Sequence, residues 1–397
     1  MFEYFLASHH QPYRKADKLR ASLEKEREDL KNSHPVTLIQ TEKKDSKPTA
    51  HILFRGQYDQ KRDQVEAGVF AVLHPFPKDA PRNRLGLARW IVSSENPLTA
   101  RVTVNRFWQE VFGVGLVKTS EDFGSTGEPP VNPALLDWLA VEFRESGWDV
   151  KHLFTLMVTS SAYRQSAAST PEKLEKDPAN RLLSRGPRFR MDGEMLRDSA
   201  LAMSGLLDPH LGGKSVKPYQ PSGLWEAVAM PESNTKKYEQ GKATELYRRS
   251  LYTFWKRAAP PASMEVFNAP SREVSCPRRE RTNTPLQALA TLNDVQYVEA
   301  SRRLAEAAVR QHRRQADRQI DFLARRILLR PLRAEEQAVV DATCAQLLEF
   351  YKTHPDEARQ LVSLGESKPD GHLDETRVAA LTLVAGQFLN LDEALNK

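Results

Sequence analysis

Asn96 to Gly124 reads NPLTARVTVNRFWQEVFGVGLVKTSEDFG. Asparagine followed by proline predicts a helix N-cap and first helical position. The Asn96 side chain can accept a free N–H, and Pro97 has none to leave unpaired. Val104, Phe107, Trp108, Val111 and Phe112 then recur at the three-and-four spacing of one apolar helical face. Arg101, Asn105 and Gln109 follow at four-residue steps on the neighbouring ridge, and Arg106 stands one turn from Glu110. Gly113 and Gly115 end the helix where a left-handed residue costs little. Leu116-Val117 is expected as a short extended piece leading into the acidic turn Glu121-Asp122-Phe123-Gly124. The polar ridge has two readings: it satisfies nearby loops, or it binds a ligand through Arg101, Asn105, Arg106 and Asp122. It is not a dinucleotide loop, because Gly113-x-Gly115 follows a helix where that fingerprint needs a strand.

Upstream, Leu85 to Val92 predicts a helix with Leu87 and Trp90-Ile91 on its apolar side. Downstream, Asn132-Pro133 repeats the cap pattern, and Leu135, Leu136, Leu139 and Phe143 make a helical face closed by Gly147. Asp149 caps the next helix, whose Leu153, Phe154 and Met157 should pack back on the previous one as an antiparallel pair. Asp192 starts a helix with Leu196, Ala200, Met203 and Leu207 inward, and Thr284-Pro285 starts another. Residues 295–312 form a longer helix, and the C-terminal part is helical again around Leu347, Leu348 and Phe350, then Val378 to Leu391. Between these lie irregular stretches at 166–190, 211–241 and 260–283. Ser250 to Lys256 alternates and is aromatic, which predicts a strand. At the N-terminus, residues 14–33 predict a solvated helix. Val36–Gln40 and His51–Gly56 predict two paired strands, and residues 60–82 a Pro-rich linker. The fold class that follows is mainly α: a multi-helical globular domain over 83–397 with a few short β-strands. A connecting region over 1–82, of helix plus β-hairpin, precedes it.

At 397 residues, with 40% hydrophobic and 28% charged content, the chain has the composition of a soluble globular protein. The net charge of +6 is mild and shows no concentrated basic stripe, which argues against a nucleic-acid partner. Cys276 and Cys344 lie in no metal-like or redox spacing. No apolar run approaches the ~18 residues of a membrane span, and the opening MFEYFLASHHQPYRKAD lacks a signal-peptide core. That opening reads as if within a longer protein, so a fragment is expected.

Glu194 and Asp198, four apart on one helix, are the candidate catalytic carboxylates for acid–base work. With Arg190 and Arg197 beside them, a salt-bridge network is the competing reading. Arg278, Arg279 and Arg281, with Arg272 upstream, can bind carboxylate, sulfate or phosphate in two-pronged fashion, or tie their segment to acids such as Asp122 or Asp198. Trp225 with Tyr219 lies in a Pro/Gly loop where it can stack on a sugar or a base, or pin its own loop. Gly213-Lys214-Ser215 resembles a phosphate loop but has Asp208 where the first glycine belongs and no strand before it. Cys276 has Arg neighbours that favour a thiolate, yet no histidine is placed by sequence as its base. The ten arginines from Arg302 to Arg333 read as solvated helix faces.

The chain also carries a family resemblance. It rests on Asn83-Arg84-Leu85, Leu87-Ala88-Arg89-Trp90, NPLTARVTVNRFWQEVFGVGLV, Glu121 to Gly124 and Asn132 to Ala140. It continues through Gly147-Trp148-Asp149, Ser161 to Ser166 (with Arg164), Arg190 to Asp198, Pro277 to Ala288 and Leu389 to Glu393. Together these resemble the C-terminal domain of planctomycete cytochrome-associated multidomain proteins, domain of unknown function 1553. The resemblance implies an exported, periplasmic or cell-envelope setting, with a cytochrome-like module and other domains of the full-length protein as partners. It carries over no catalytic residue. The Cys-x-x-Cys-His haem attachment is absent, so no cofactor is expected in this chain and no metal is assigned. Three functions stand side by side. One is an accessory domain binding an anionic or carbohydrate ligand through the arginines, with Arg101, Asn105, Arg106, Asp122, Arg164, Arg190 and Trp225 as further contacts. The others are a polysaccharide hydrolase using Glu194 and Asp198, and a redox accessory domain docking a c-type cytochrome.

Overall fold

The computed structural model describes residues 2–34, 36–41, 49–313 and 315–397, which fall into two compact units. The smaller holds the residues up to Phe70 and Lys78–Leu85. Its helices are α1 (Phe2–Ser8) and α2 (Gln11–Ser33). The His10 ring caps α2 by accepting the Tyr13 N–H at 3.2 Å, and none of the residues of α2 is buried. An antiparallel hairpin pairs β1 (Ala50–Leu53) with β2 (Lys61–Val65), Ala50 opposite Val65. This corrects the expected pairing: Val36–Gln40 forms no strand, and the partner comes from the stretch read as linker. The Phe54 N–H reaches the Gln60 carbonyl at 3.0 Å, so the nearer segment closes the shorter loop.

The larger unit comprises Ala71–Pro77 and Gly86–Lys397. Helix α3 (Arg84–Ile91) buries Gly86 and Trp90, whereas Leu87, expected inward, is exposed. Trp90 stacks on His74 with ring centroids 4.7 Å apart and donates its indole N–H to the His74 carbonyl. Helix α4 (Thr99–Phe112) starts two residues later than predicted, and Asn96 Oδ1 accepts the Leu98 and Thr99 N–H groups in the turn before it. Helices α5 (Pro133–Glu145) and α6 (Val150–Thr159) begin at Asn132 and Asp149 as read, each side chain accepting an N–H three residues on. Val104, Trp108 and Val111 meet Leu136, Leu139, Phe143, Leu153 and Met157 in one core cluster. Burying each such side chain contributes roughly 1.5–3 kcal/mol.

Short helices α7 (Ser161–Arg164) and α8 (Pro171–Lys176) lead through irregular chain to α9 (Gly193–Ser204). Small helices α10 (Leu224–Val228) and α11 (Ala262–Val266) interrupt the loops that follow, and α12 (Pro285–Asn293) and α13 (Val295–His312) come next. The rest is α14 (Ala316–Ile327), α15 (Ala334–Thr353), α16 (Pro355–Val362), α17 (Glu375–Leu389) and α18 (Asp392–Leu395). Leu304, Ala305 and Ala308 of α13 meet Leu323, Val378, Leu381, Val384 and Ala385 in a second core, and α9 packs on α13. Among the described residues the hairpin is the only sheet, and no helix is long and apolar enough to cross a membrane.

Two further expectations are corrected. Ser250 to Lys256 is not a strand but a 3-10 turn, Ser250–Tyr252, followed by one parallel bridge between Val216 and Thr253. The next donor along the Val216 segment would be residue 218, a proline with no N–H, so the ladder stops. Arg302, read as solvated, is 0% exposed. Its guanidinium donates to Glu306 and to the Ser367 carbonyl and hydroxyl, each at 2.6 Å. Beside it Glu299, also fully buried, accepts from the Tyr219 and Tyr247 hydroxyls at 2.8 and 2.9 Å and from the Ser367 N–H at 2.6 Å.

Candidate functional site

The polar ridge of α4 is turned inward. Asn105, 0% exposed, donates to the Val117 carbonyl at 3.0 Å and to the Ser120 hydroxyl at 3.2 Å, and accepts the Val117 N–H at 2.8 Å. Ser120 in turn donates to Gln109 at 2.7 Å. Leu116-Val117 is therefore a bent loop folded onto the helix, not an extended piece. Gly115 permits this, since a Cβ there would lie 2.5 Å from the Val117 carbonyl and 2.6 Å from the Asn105 amide nitrogen. Arg101 pairs with Asp137 at 2.6 Å and holds that carboxyl below its ordinary range. Asp122 accepts from the Thr126 hydroxyl and the Gly124 N–H, which lower its pKa and close its own turn. Arg106 is exposed on α4 and forms no ion pair with Glu110 among the described residues, and Arg164 is exposed at the end of α7.

The other candidates scatter. Arg190 donates to Gln287 at 3.2 Å, and burial lowers the pKa of its guanidinium. Trp225, 1% exposed, lies against Tyr238 and Phe254, with the Lys217 and Lys256 ammoniums 5.3 and 4.8 Å from its ring. It pins its loop and has no open face for a sugar. Arg278 pairs with Glu121 at 3.2 Å, rather than with Asp122. Cys276 is exposed, with Sγ 3.2 Å from the Arg278 carbonyl. At Gly213-Lys214-Ser215 the buried Arg248 gathers the carbonyls of His210, Gly212 and Lys214. A phosphate cradle needs converging N–H groups, so this loop has the wrong polarity.

What the fold does bring together is a cleft of about 750 Å³ along the outer side of α9. Glu194 sits in it as a two-pronged pair with Arg279, at 2.6 and 3.2 Å. Arg279 also reaches Asp192 at 3.6 Å. Burial works against its charge, but these carboxylates prevail and its pKa is raised. Asp198 Oδ1 accepts both the N–H and the hydroxyl of Ser250 at 2.7 Å, while Oδ2 lies 3.9 Å from Arg249. The side chains of Glu194 and Asp198 each remain 24% exposed. Glu110, which sequence had paired with Arg106, lines the same cleft. It keeps an exposed edge, yet desolvation by the cleft walls and then the charge of Asp192 raise its pKa, against the opposing Arg281 and Arg279. Across from α9 stands Trp255, its indole N–H on the Ser271 carbonyl at 3.1 Å and the Arg272 guanidinium 4.9 Å from its ring.

Of the sequence neighbours expected to neutralise the carboxylates, Arg190 pairs with neither among the described residues, and Arg197 lies 3.7 Å from Asp198 Oδ1 but makes its hydrogen bonds elsewhere. Arg197 is buried beneath the cleft and donates to Gln296 and to the carbonyls of Leu246 and Arg248, with desolvation lowering its pKa. Arg279, more than eighty residues away, takes Glu194 instead. Glu110, Asp192, Arg249 and Trp255 were missed as cleft residues. Only Glu110 carried a signal, its place on the polar flank of α4. Among the described residues no group of three or more His, Cys, Asp or Glu is placed to hold a metal ion.

Comparison with known proteins gives one family match, over residues 83–344, to PSD1, a protein of unknown function (DUF1553). No curated protein and no solved structure matches the chain.

Proposed function

We infer that this chain, which belongs to the PSD1 family of proteins of unknown function (DUF1553), acts as an accessory domain that binds a neutral, hydroxyl-rich ligand, a carbohydrate segment, in the cleft beside α9. One observation carries the reading: the cleft sets fixed carboxylate and guanidinium edges opposite the partly exposed Trp255 ring. Its volume falls in the usual range for ligand sites, about 300–1,000 Å³. An aromatic face with planar hydrogen-bonding groups held by other protein atoms suits a ring carrying equatorial hydroxyls. Charge supports a neutral ligand over an anionic one. Glu110, Asp192, Glu194 and Asp198 face Arg249, Arg272 and Arg279, and Arg279 is already engaged by Glu194.

The hydrolase reading would use the same cleft. Both oxygens of Glu194 are taken by Arg279 and one of Asp198 by Ser250, which supports holding roles over proton transfer. The exported, cytochrome-linked setting implied by the resemblance supports an accessory role within a longer protein.

Retention of the full chain on a glycan array, followed by calorimetric titration, tests this. Neutral oligosaccharides should bind saturably, and Trp255→Ala should weaken them by about tenfold, the loss of one stacked ring. Binding confined to sulfated glycans, or insensitive to Trp255→Ala, overturns the reading. Release of shortened oligosaccharide during incubation replaces it with the hydrolase.

A further inference from the structure

A second concavity, separate from the cleft, lies where α4 runs out. The exit residues Gly113 to Leu116 form one wall and the chain around Asn180 to Phe189 the other, enclosing about 210 Å³. Trp108 and Phe112, stacked with centroids 3.9 Å apart, and Phe189 supply its aromatic surface. Gly113 makes the pocket possible. Its φ is +86°, and a Cβ there would lie 2.6 Å from the Phe189 ring.

The charged residues lining this pocket are all arginines, Arg181, Arg188 and Arg281, with no carboxylate among them. Arg188 is neutralised by Asp392 at 2.5 Å. Among the described residues, the Arg181 guanidinium donates only to the Gly115 carbonyl, at 3.4 Å. Arg281 donates to the Gly113 carbonyl and lies 4.3 Å from the Phe189 ring centroid. Among the described residues its buried Nε has no hydrogen-bond partner and its guanidinium forms no ion pair. Glu110 and Asp192 act on Arg281 only across a distance, and burial pushes its pKa down. A half-buried guanidinium with no carboxylate partner keeps its charge and fork geometry available to an anion that enters the pocket.

We propose that this pocket binds a small planar carboxylate, an aromatic or unsaturated acid, with its carboxylate on Arg281 and Arg181 and its flat body between Phe189 and the Trp108–Phe112 stack. Guanidinium forks match carboxylate geometry, and aromatic walls gain from covering a flat apolar body. Size fits as well: a cavity of about 150 Å³ holds benzene, and this one leaves room for one ionised substituent. Inorganic phosphate has the charge but would leave the aromatic walls wet.

The test is titration of the full chain with benzoate, read by tryptophan fluorescence and calorimetry. Benzyl alcohol supplies the ring without charge, and inorganic phosphate the charge without the ring. Benzoate should bind saturably and more weakly at high salt, with both controls at least about tenfold poorer. Arg281→Met should lose at least about tenfold in benzoate affinity. Because Arg281 also caps the end of α4, Arg181→Met, which loses only a 3.4 Å contact to the Gly115 carbonyl, is the second variant and should weaken benzoate while leaving the melting temperature of the free chain unchanged. Overturning results are benzoate binding no better than benzyl alcohol or phosphate, or benzoate binding unaffected by Arg181→Met and by any folded Arg281→Met. In either case Arg281 is a helix-end donor and nothing more.

Discussion

Asn105 holds the exit of α4 with three hydrogen bonds inside a site closed to water. Asn105→Ala would leave the Val117 N–H unpaired and its carbonyl only the long 3.5 Å contact with the Ser120 hydroxyl, at a cost of about 3 kcal/mol, measurable by urea unfolding. Glu110 offers a test of opposite sign. Its pKa is raised in the folded chain, first by desolvation and then by Asp192, so the folded state binds more protons there than the unfolded one. The stability this contributes is complete at low pH and is lost as pH rises through the raised value. Glu110→Gln should therefore be more stable than the wild type at neutral pH. It should lose that advantage below the unfolded glutamate value of about 4.3, as read from melting curves across pH. At this scale the four-residue rhythm of Arg101, Asn105 and Gln109 was legible, because one helix sets it. Arg302 and Arg279 were not. Their partners Ser367 and Glu194 lie 65 and 85 residues away, and nothing local marks an arginine as buried.

Helix starts were legible for the same reason. The caps at Asn132, Asp149, Thr284 and Asp294 act on N–H groups two or three residues on, within reach of sequence reasoning. Strands need a partner elsewhere: Val36–Gln40 had the composition without one, and Ser250–Lys256 found only a single parallel bridge, to Val216, before Pro218 ended the ladder. Helix packing gives a further prediction. Gly386 lies inside α17, and a Cβ there would make an ordinary 3.6 Å contact with the Ser301 hydroxyl of α13. Gly386→Ala should raise stability by about 0.5–1 kcal/mol through helix propensity. A lower denaturant midpoint would mean that α13 and α17 sit closer than that contact allows.

For the whole molecule, the family match ends at residue 344, inside α15, while the core of the C-terminal helices continues through Val378, Leu381, Val384 and Phe388. A chain stopped at 344 would uncover the α13 face that α17 covers. It should lose cooperative melting, where the full chain keeps it. The candidate cleft was only partly legible at this scale. Glu194, Asp198 and Arg279 were named from sequence. Trp255 and Arg249 were not, because the loops that deliver them follow no period.

The shared carboxylate at Glu299 changes how the chain near Ser367 should be regarded. Tyr219, Tyr247 and the Ser367 amide all terminate on it, and Gly365, at φ +91°, leaves the room that a Cβ would take from its side chain. What looks like a slack tether between α16 and α17 is moored to the interior by three residues: Glu299 takes the Ser367 N–H, the Tyr219 hydroxyl takes the Glu366 N–H, and Arg302 holds the Ser367 carbonyl and hydroxyl. Its amide hydrogens should trade with solvent at the slow tempo of α13, opening when that helix opens and not before.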